Sequence, residues 1–114
     1  MLDVELVVPR EMGGPGGSAT NPEQLFAAGY AACFHSALQI VARRERLALD
    51  DSSVAARVGL QANAKRGFEL SVALQVDLPG VEPATAEELV VKAHAVCPYS
   101  NATRGNVDVE LAVA

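Results

Sequence analysis

The chain has 114 residues, room for one domain and not for a second. Its net charge of −5, from 9 Lys and Arg against 14 Asp and Glu, argues against a nucleic-acid interface built on a basic stripe and against a cationic membrane-surface helix. Half of the residues are apolar but the aromatic ones are only Phe26, Tyr30, Phe34, Phe68 and Tyr99, so the core must be built from Ala, Val and Leu, which points to help from a partner subunit.

In chain order, Leu2 to Val8 alternates partly, with Val4, Leu6 and Val8 against Asp3 and Glu5, and predicts a strand that Pro9 ends. MLDVELVVPR puts acids where a secretory leader would have a basic start and an apolar run, so the expected location is cytoplasmic. There a disulfide is more often transient and catalytic than structural. Gly13 to Thr20, GGPGGSAT, predicts a flexible loop; it lacks the Lys of a phosphate-binding loop.

Asn21 as N-cap, Pro22 at the first helical position and Gln24 in a capping-box-like pattern predict a helix running to about Arg46. Arg43, Arg44 and Arg46 suit the negative end of its dipole. Leu25 to Ala42 carries no Asp, Glu, Lys or Arg and reaches the lower edge of membrane-spanning length, about 17 residues. Its apolar content is mostly alanine, interrupted by His35, Ser36 and Gln39, which predicts a helix buried in protein rather than in lipid.

Strands are expected over Ser53 to Asn63 and Phe68 to Leu78, the second alternating throughout, with a hairpin turn at Ala64 to Gly67. Pro79-Gly80 closes the second strand, Thr85 with Glu88 opens a helix to about Cys97, and Pro98 blocks its continuation. A last strand follows over Asn106 to Val113. The order β–α–β–β–α–β predicts an α+β fold with helices on an antiparallel or mixed sheet.

Cys33 and Cys97 are the only thiols, and both sit in distinctive segments. Cys33 lies mid-helix with Phe26, Tyr30, Ala37 and Ile40 at spacings of three, four and seven, so it reads either as a small buried hydrophobe or as a reactive thiol. A mid-helix thiol gains little from the helix dipole, so reactivity would need a cation or hydrogen bonds nearby. Cys97, before Pro98 at a helix end, is placed where a thiol can be exposed and mobile, as resolution of a sulfenic acid would ask. Zinc is a further reading through Cys33, His35, His94 and Cys97, weakened because residues two apart on a helix face different ways. Otherwise His35 and His94 read as packing residues with satisfied hydrogen bonds. Glu23 suits a first helical turn, and lies about 15 Å from Cys33 along a straight helix. The two can cooperate only if the helix is broken or Glu23 comes from a second subunit, through an antiparallel pairing over Ala28, Gly29 and Ala32.

The segments NPEQLFAAGYAACF and VCPYSNATRGN, with the LDVEL strand and the PREMGGPGG loop, resemble the organic hydroperoxide resistance (Ohr) proteins of the OsmC-like superfamily. CPYSNATRGN is similar to the Ohr branch rather than the OsmC branch. The resemblance covers Leu2 to the C-terminus and implies a single OsmC-like domain over residues 1–114, with a long buried central helix and a second helix, in an intertwined homodimer. It also implies a thiol peroxidase reducing organic or fatty-acid hydroperoxides, with Cys33 as peroxidatic cysteine, Cys97 as resolving cysteine and Glu23 as the site carboxylate. No bound cofactor is implied; the reductant would be an external dithiol, in this family lipoyl groups on a partner protein.

Ohr proteins carry further residues before the LDVEL strand, a hairpin bearing the Arg that pairs with the Glu and the thiolate. Neither Arg10 nor Arg104 matches that Arg by position. The expectation is therefore that Met1 is a misassigned start, for which the intact mass of the native protein is the test. The alternative is a catalytically impaired member that binds hydrophobic ligands or senses oxidants.

Overall fold

The computed structural model describes residues 1–114. Helix α1 spans Pro22–Arg44. Asn21 keeps an extended backbone and its side-chain oxygen accepts from the Gln24 N–H at 2.8 Å, while Pro22 opens the helix where no N–H is needed. Gln24 does not reach back to the cap as a capping box would; its Oε1 accepts from the Thr20 hydroxyl at 2.8 Å. Tyr30, Phe34, Ala37, Leu38, Val41 and Ala42 are buried, a stripe at spacings of three and four. Ala28, Ala32 and Ile40 remain exposed. The helix is long and apolar enough to cross a membrane, yet it packs on a sheet strand and on two other helices.

Strands β1 (Ser53–Ala62) and β2 (Phe68–Asp77) form an antiparallel hairpin. The turn between them is fixed by Asn63, whose Oδ1 accepts from the N–H groups of Lys65 at 3.0 Å and Gly67 at 2.9 Å. Helix α2 covers Pro83–Val96, helix α3 Pro98–Thr103, and strand β3 Asp108–Val113. β3 pairs parallel to β2, so the three-stranded sheet is mixed, in the order β1-β2-β3. Val72, Leu74 and Val76 of β2 meet Leu89, Val90 and Ala93 of α2 and the stripe of α1 in one cluster.

Three expectations are corrected. Leu2 to Val8 is not a strand: only Leu6 bridges Thr20, through Val7 N–H to the Thr20 carbonyl and Thr20 N–H to the Glu5 carbonyl, and Leu2, Val4, Leu6 and Val8 stay exposed. An alternating segment becomes a strand only beside a sheet edge, and this fold brings none to it. Helix α2 starts at Pro83 with Glu82 as cap, two residues before the predicted Thr85, because Pro suits the first helical position. Pro98 ends α2 as expected but for the same reason starts α3, which the sequence reading did not foresee.

Candidate active site

Cys33 comes from the middle of α1, and Cys97 from the junction where α2 ends and α3 begins. Cys97 has φ −62° and ψ 123°, an extended residue between two helices, as the ring of the following proline requires. The corner folds back on α1 and brings Cys97 Sγ to 3.2 Å from Cys33 Sγ, with both thiols free. A disulfide needs about 2.05 Å, so about 1 Å of closure separates the dithiol from the bonded form.

Cys97 is fully buried, which corrects the expectation of an exposed thiol at a helix end. Helix α3 turns the chain inward and lays the cysteine in the core cluster. Cys33 is half-buried. Burial pushes the Cys33 thiol above its ordinary range, the Tyr99 backbone N–H pulls it down, and the hydrogen bond and charge of Cys97 raise it again; no cationic side chain is among these influences.

Phe26, Tyr30 and Tyr99 form an aromatic cluster with ring centroids 5.7 to 6.0 Å apart, tilted or edge-to-face, and Phe26 and Cys33 pack against the core cluster that holds Tyr30 and Cys97. Gly29 leaves room for Tyr99: a Cβ there would stand 3.1 Å from Tyr99 Oη and press it outward by a few tenths of an ångström. Beneath the rings runs a hydrogen-bonded chain that the sequence reading missed. Tyr30 Oη lies 2.8 Å from Ser100 Oγ and 3.3 Å from Thr103 Oγ1, and His94 Nδ1 lies 2.8 Å from Ser100 Oγ. The signal was available in SNATR, polar residues one turn beyond a thiol, but its reading depended on a helix after Pro98. Arg104 donates to the His94 carbonyl at 2.6 Å and so caps the last turn of α2.

Glu23 lies apart from the thiols. Helix α1 is unbroken, so the ten residues between Glu23 and Cys33 keep them about 15 Å apart along the axis. Glu23 faces a groove of ≈ 450 Å³ between the start of α1 and β1, lined also by Met12, Ala27 and Arg57 but not by Cys33. Its Oε2 is buried without a hydrogen-bond partner, an expensive arrangement for a carboxylate. Arg10 donates instead to the Pro15 carbonyl, and the chain's one salt bridge joins Lys92 to Glu45. The four zinc candidates do not converge: His35 Nε2 bonds Ser52 Oγ at 2.8 Å, and no three His, Cys, Asp or Glu side chains gather as a metal site would need.

The family described as OsmC-like protein matches residues 14–112. An organic hydroperoxide resistance protein of Xanthomonas axonopodis pv. citri is 53% identical over 99% of this chain and 80% of its own length. The chain belongs to the OsmC-like family, on its Ohr branch. The fold agrees with that placement. An organic hydroperoxide resistance protein of Legionella pneumophila, 56% identical, superposes with a TM-score of 0.95 over all of this chain and 82% of its own. A relative from Vibrio cholerae, solved with captopril in one of its active sites, is 53% identical with a TM-score of 0.93 over 99% of this chain and 77% of its own. The Ohr placement thus covers both cysteine segments and the helix between them.

Proposed function

We propose that this Ohr-branch protein, one domain over residues 1–114, reduces organic hydroperoxides to alcohols in the cytoplasm, with Cys33 as peroxidatic and Cys97 as resolving thiol. The observation that carries this reading is the 3.2 Å separation of the two sulfurs in an apolar, aromatic setting. The Cys33 thiolate attacks the terminal oxygen of the hydroperoxide; the O–O bond breaks, an alkoxide leaves and takes a proton to become the alcohol, and Cys33 becomes a sulfenic acid. The Cys97 thiolate then attacks the Cys33 sulfur, the S–S bond forms and hydroxide leaves as water. An external dithiol, of the lipoyl type, reduces the disulfide by exchange, and no bound cofactor enters the cycle. Alkyl or fatty-acid hydroperoxides suit thiols packed beside the Phe26, Tyr30 and Tyr99 rings better than hydrogen peroxide does.

Glu23 is the site carboxylate in this reading, acting across a homodimer. Its buried, unpartnered Oε2 and the exposed Ala28, Ala32 and Ile40 of α1 support a second copy packed on this helix. In a homodimer, a guanidinium lying between Glu23 of one subunit and Cys33 of the other would satisfy the carboxylate and lower the thiol together.

The second reading, a ligand binder or oxidant sensor without turnover, is favoured by the absence of a cation at Cys33. Single-turnover oxidation by cumene or linoleic hydroperoxide separates the two. Stoichiometric Cys33–Cys97 disulfide formed far faster than free cysteine reacts is the expected result, with turnover abolished in Cys33→Ser and an accumulating sulfenic acid in Cys97→Ser. Oxidation no faster than that of a free thiol would overturn the peroxidase.

A further inference from the structure

Helices α1 and α3 touch at two parallel rungs. One is Cys33 to Cys97; the other, three residues earlier on α1 and three later on α3, is Tyr30 to Ser100. Three residues is close to one helical turn, so the two rungs stand on the same faces of both helices. The second rung is better anchored than the first. Tyr30 and Ser100 are both at 0% exposure, and Ser100 is shared by Tyr30 and His94, each at 2.8 Å.

Thr103 donates to the Ser100 carbonyl at 3.2 Å, and Ser100 Oγ, with one proton and two lone pairs, can bond Tyr30 Oη and His94 Nδ1 at once, whichever tautomer the ring adopts. Breaking this chain would strand buried polar atoms, so the register of α3 on α1 is held by it. Helix α3 has only six residues and makes no backbone–backbone hydrogen bond to α1. The Cys97 N–H bonds the Ala93 carbonyl at the end of α2, and beyond the Tyr99 N–H on Cys33 it is side chains that hold the corner against α1.

We propose that Tyr30, Ser100 and His94 are positioning residues that hold Cys97 at bonding range of Cys33, and so set both the rate of disulfide closure and its equilibrium. The proposal rests on the thiol peroxidase reading for its biological use. In the step concerned, the S–O bond of the Cys33 sulfenic acid breaks and the S–S bond forms; Cys97 supplies the electron pair, and its proton leaves with the hydroxide as water. The rung persists through the closure of about 1 Å that this requires, and it plays no part in the earlier attack on the hydroperoxide.

The test is the thiol–disulfide equilibrium of the whole chain in dithiothreitol redox buffers, which needs no peroxide. Ser100→Ala, which removes the bonds to both Tyr30 and His94, should shift it about three- to tenfold away from the disulfide, because a corner no longer pinned holds the two thiols at a lower effective concentration. Tyr30→Phe, which deletes a single oxygen, should do the same and serves if Ser100→Ala does not fold. The double variant should fall little further than Ser100→Ala, because that substitution already removes the Tyr30–Ser100 bond. In a Cys97→Ser background, Ser100→Ala should leave the rate of Cys33 oxidation by cumene hydroperoxide within twofold. An unchanged or raised equilibrium in Tyr30→Phe, multiplicative losses in the double variant, or an equally slowed oxidation step would each overturn the proposal. Failure of the peroxidase reading would instead show in the parent chain, as slow oxidation by hydroperoxide with the redox equilibrium intact.

Discussion

Raising the pH tests the environment of Cys33 directly. Burial and Cys97 hold its thiol above the ordinary range, with only the Tyr99 N–H opposing them. A thiol at the ordinary value of about 8.5 is about 3% thiolate at pH 7 and about 75% at pH 9, a ratio of about 25. One titrating well above that range gains about 100-fold over the same two pH units. The rate of Cys33 alkylation by iodoacetamide, followed peptide by peptide, should therefore rise between about 25- and 100-fold from pH 7 to 9. Cys97→Ala removes the hydrogen bond and the charge that raise the thiol, so its profile should move to lower pH. A rate already high at pH 7 and flat to pH 9 would refute the reasoning. It would mean that a cation outside this chain's own fold ionises Cys33, as a partner subunit's guanidinium would.

Other expectations follow from the fold. Leu89→Ala, at a fully buried position of α2, should cost about 2–5 kcal/mol in urea unfolding, a large share of the stability of so small a core; a loss under 1 kcal/mol would contradict the packing described. Asn21→Ala deletes the 2.8 Å cap of α1 and should cost about 1 kcal/mol while the Cys33–Cys97 disulfide still forms. Burial, then the charge of Arg104, hold His94 below its ordinary value. The unfolded chain thus binds more protons at this residue just below about pH 6.5, so its contribution to stability is complete above that pH and lost as pH falls towards the folded value. His94→Gln should narrow the drop in urea midpoint between pH 7.5 and 5.5; an equal drop would show that His94 does not titrate as described.

What the sequence determined by itself was local. Asn21-Pro22 started α1 because a cap and a preset φ are properties of adjacent residues, and the alternation over Phe68 to Leu78 marked β2 because its period is written into consecutive side chains. The long cysteine segments also identified the family before any geometry. Leu2 to Val8 has the same kind of alternation yet forms no strand, because a strand needs a neighbour and pattern cannot supply one. The meeting of Cys33 with Cys97 across 64 positions was implied by the resemblance but not readable from spacing, and the Tyr30–Ser100 rung across 70 was not legible at all. Both depend on the short helix after Pro98 folding back on α1, and that is decided by the buried hydroxyls and aromatic rings that seal the corner. The separation of Glu23 from Cys33 was legible from helical rise alone, but the buried, unpaired carboxylate oxygen was not. Burial depends on what the rest of the chain packs against a residue, so only the tertiary structure could decide it.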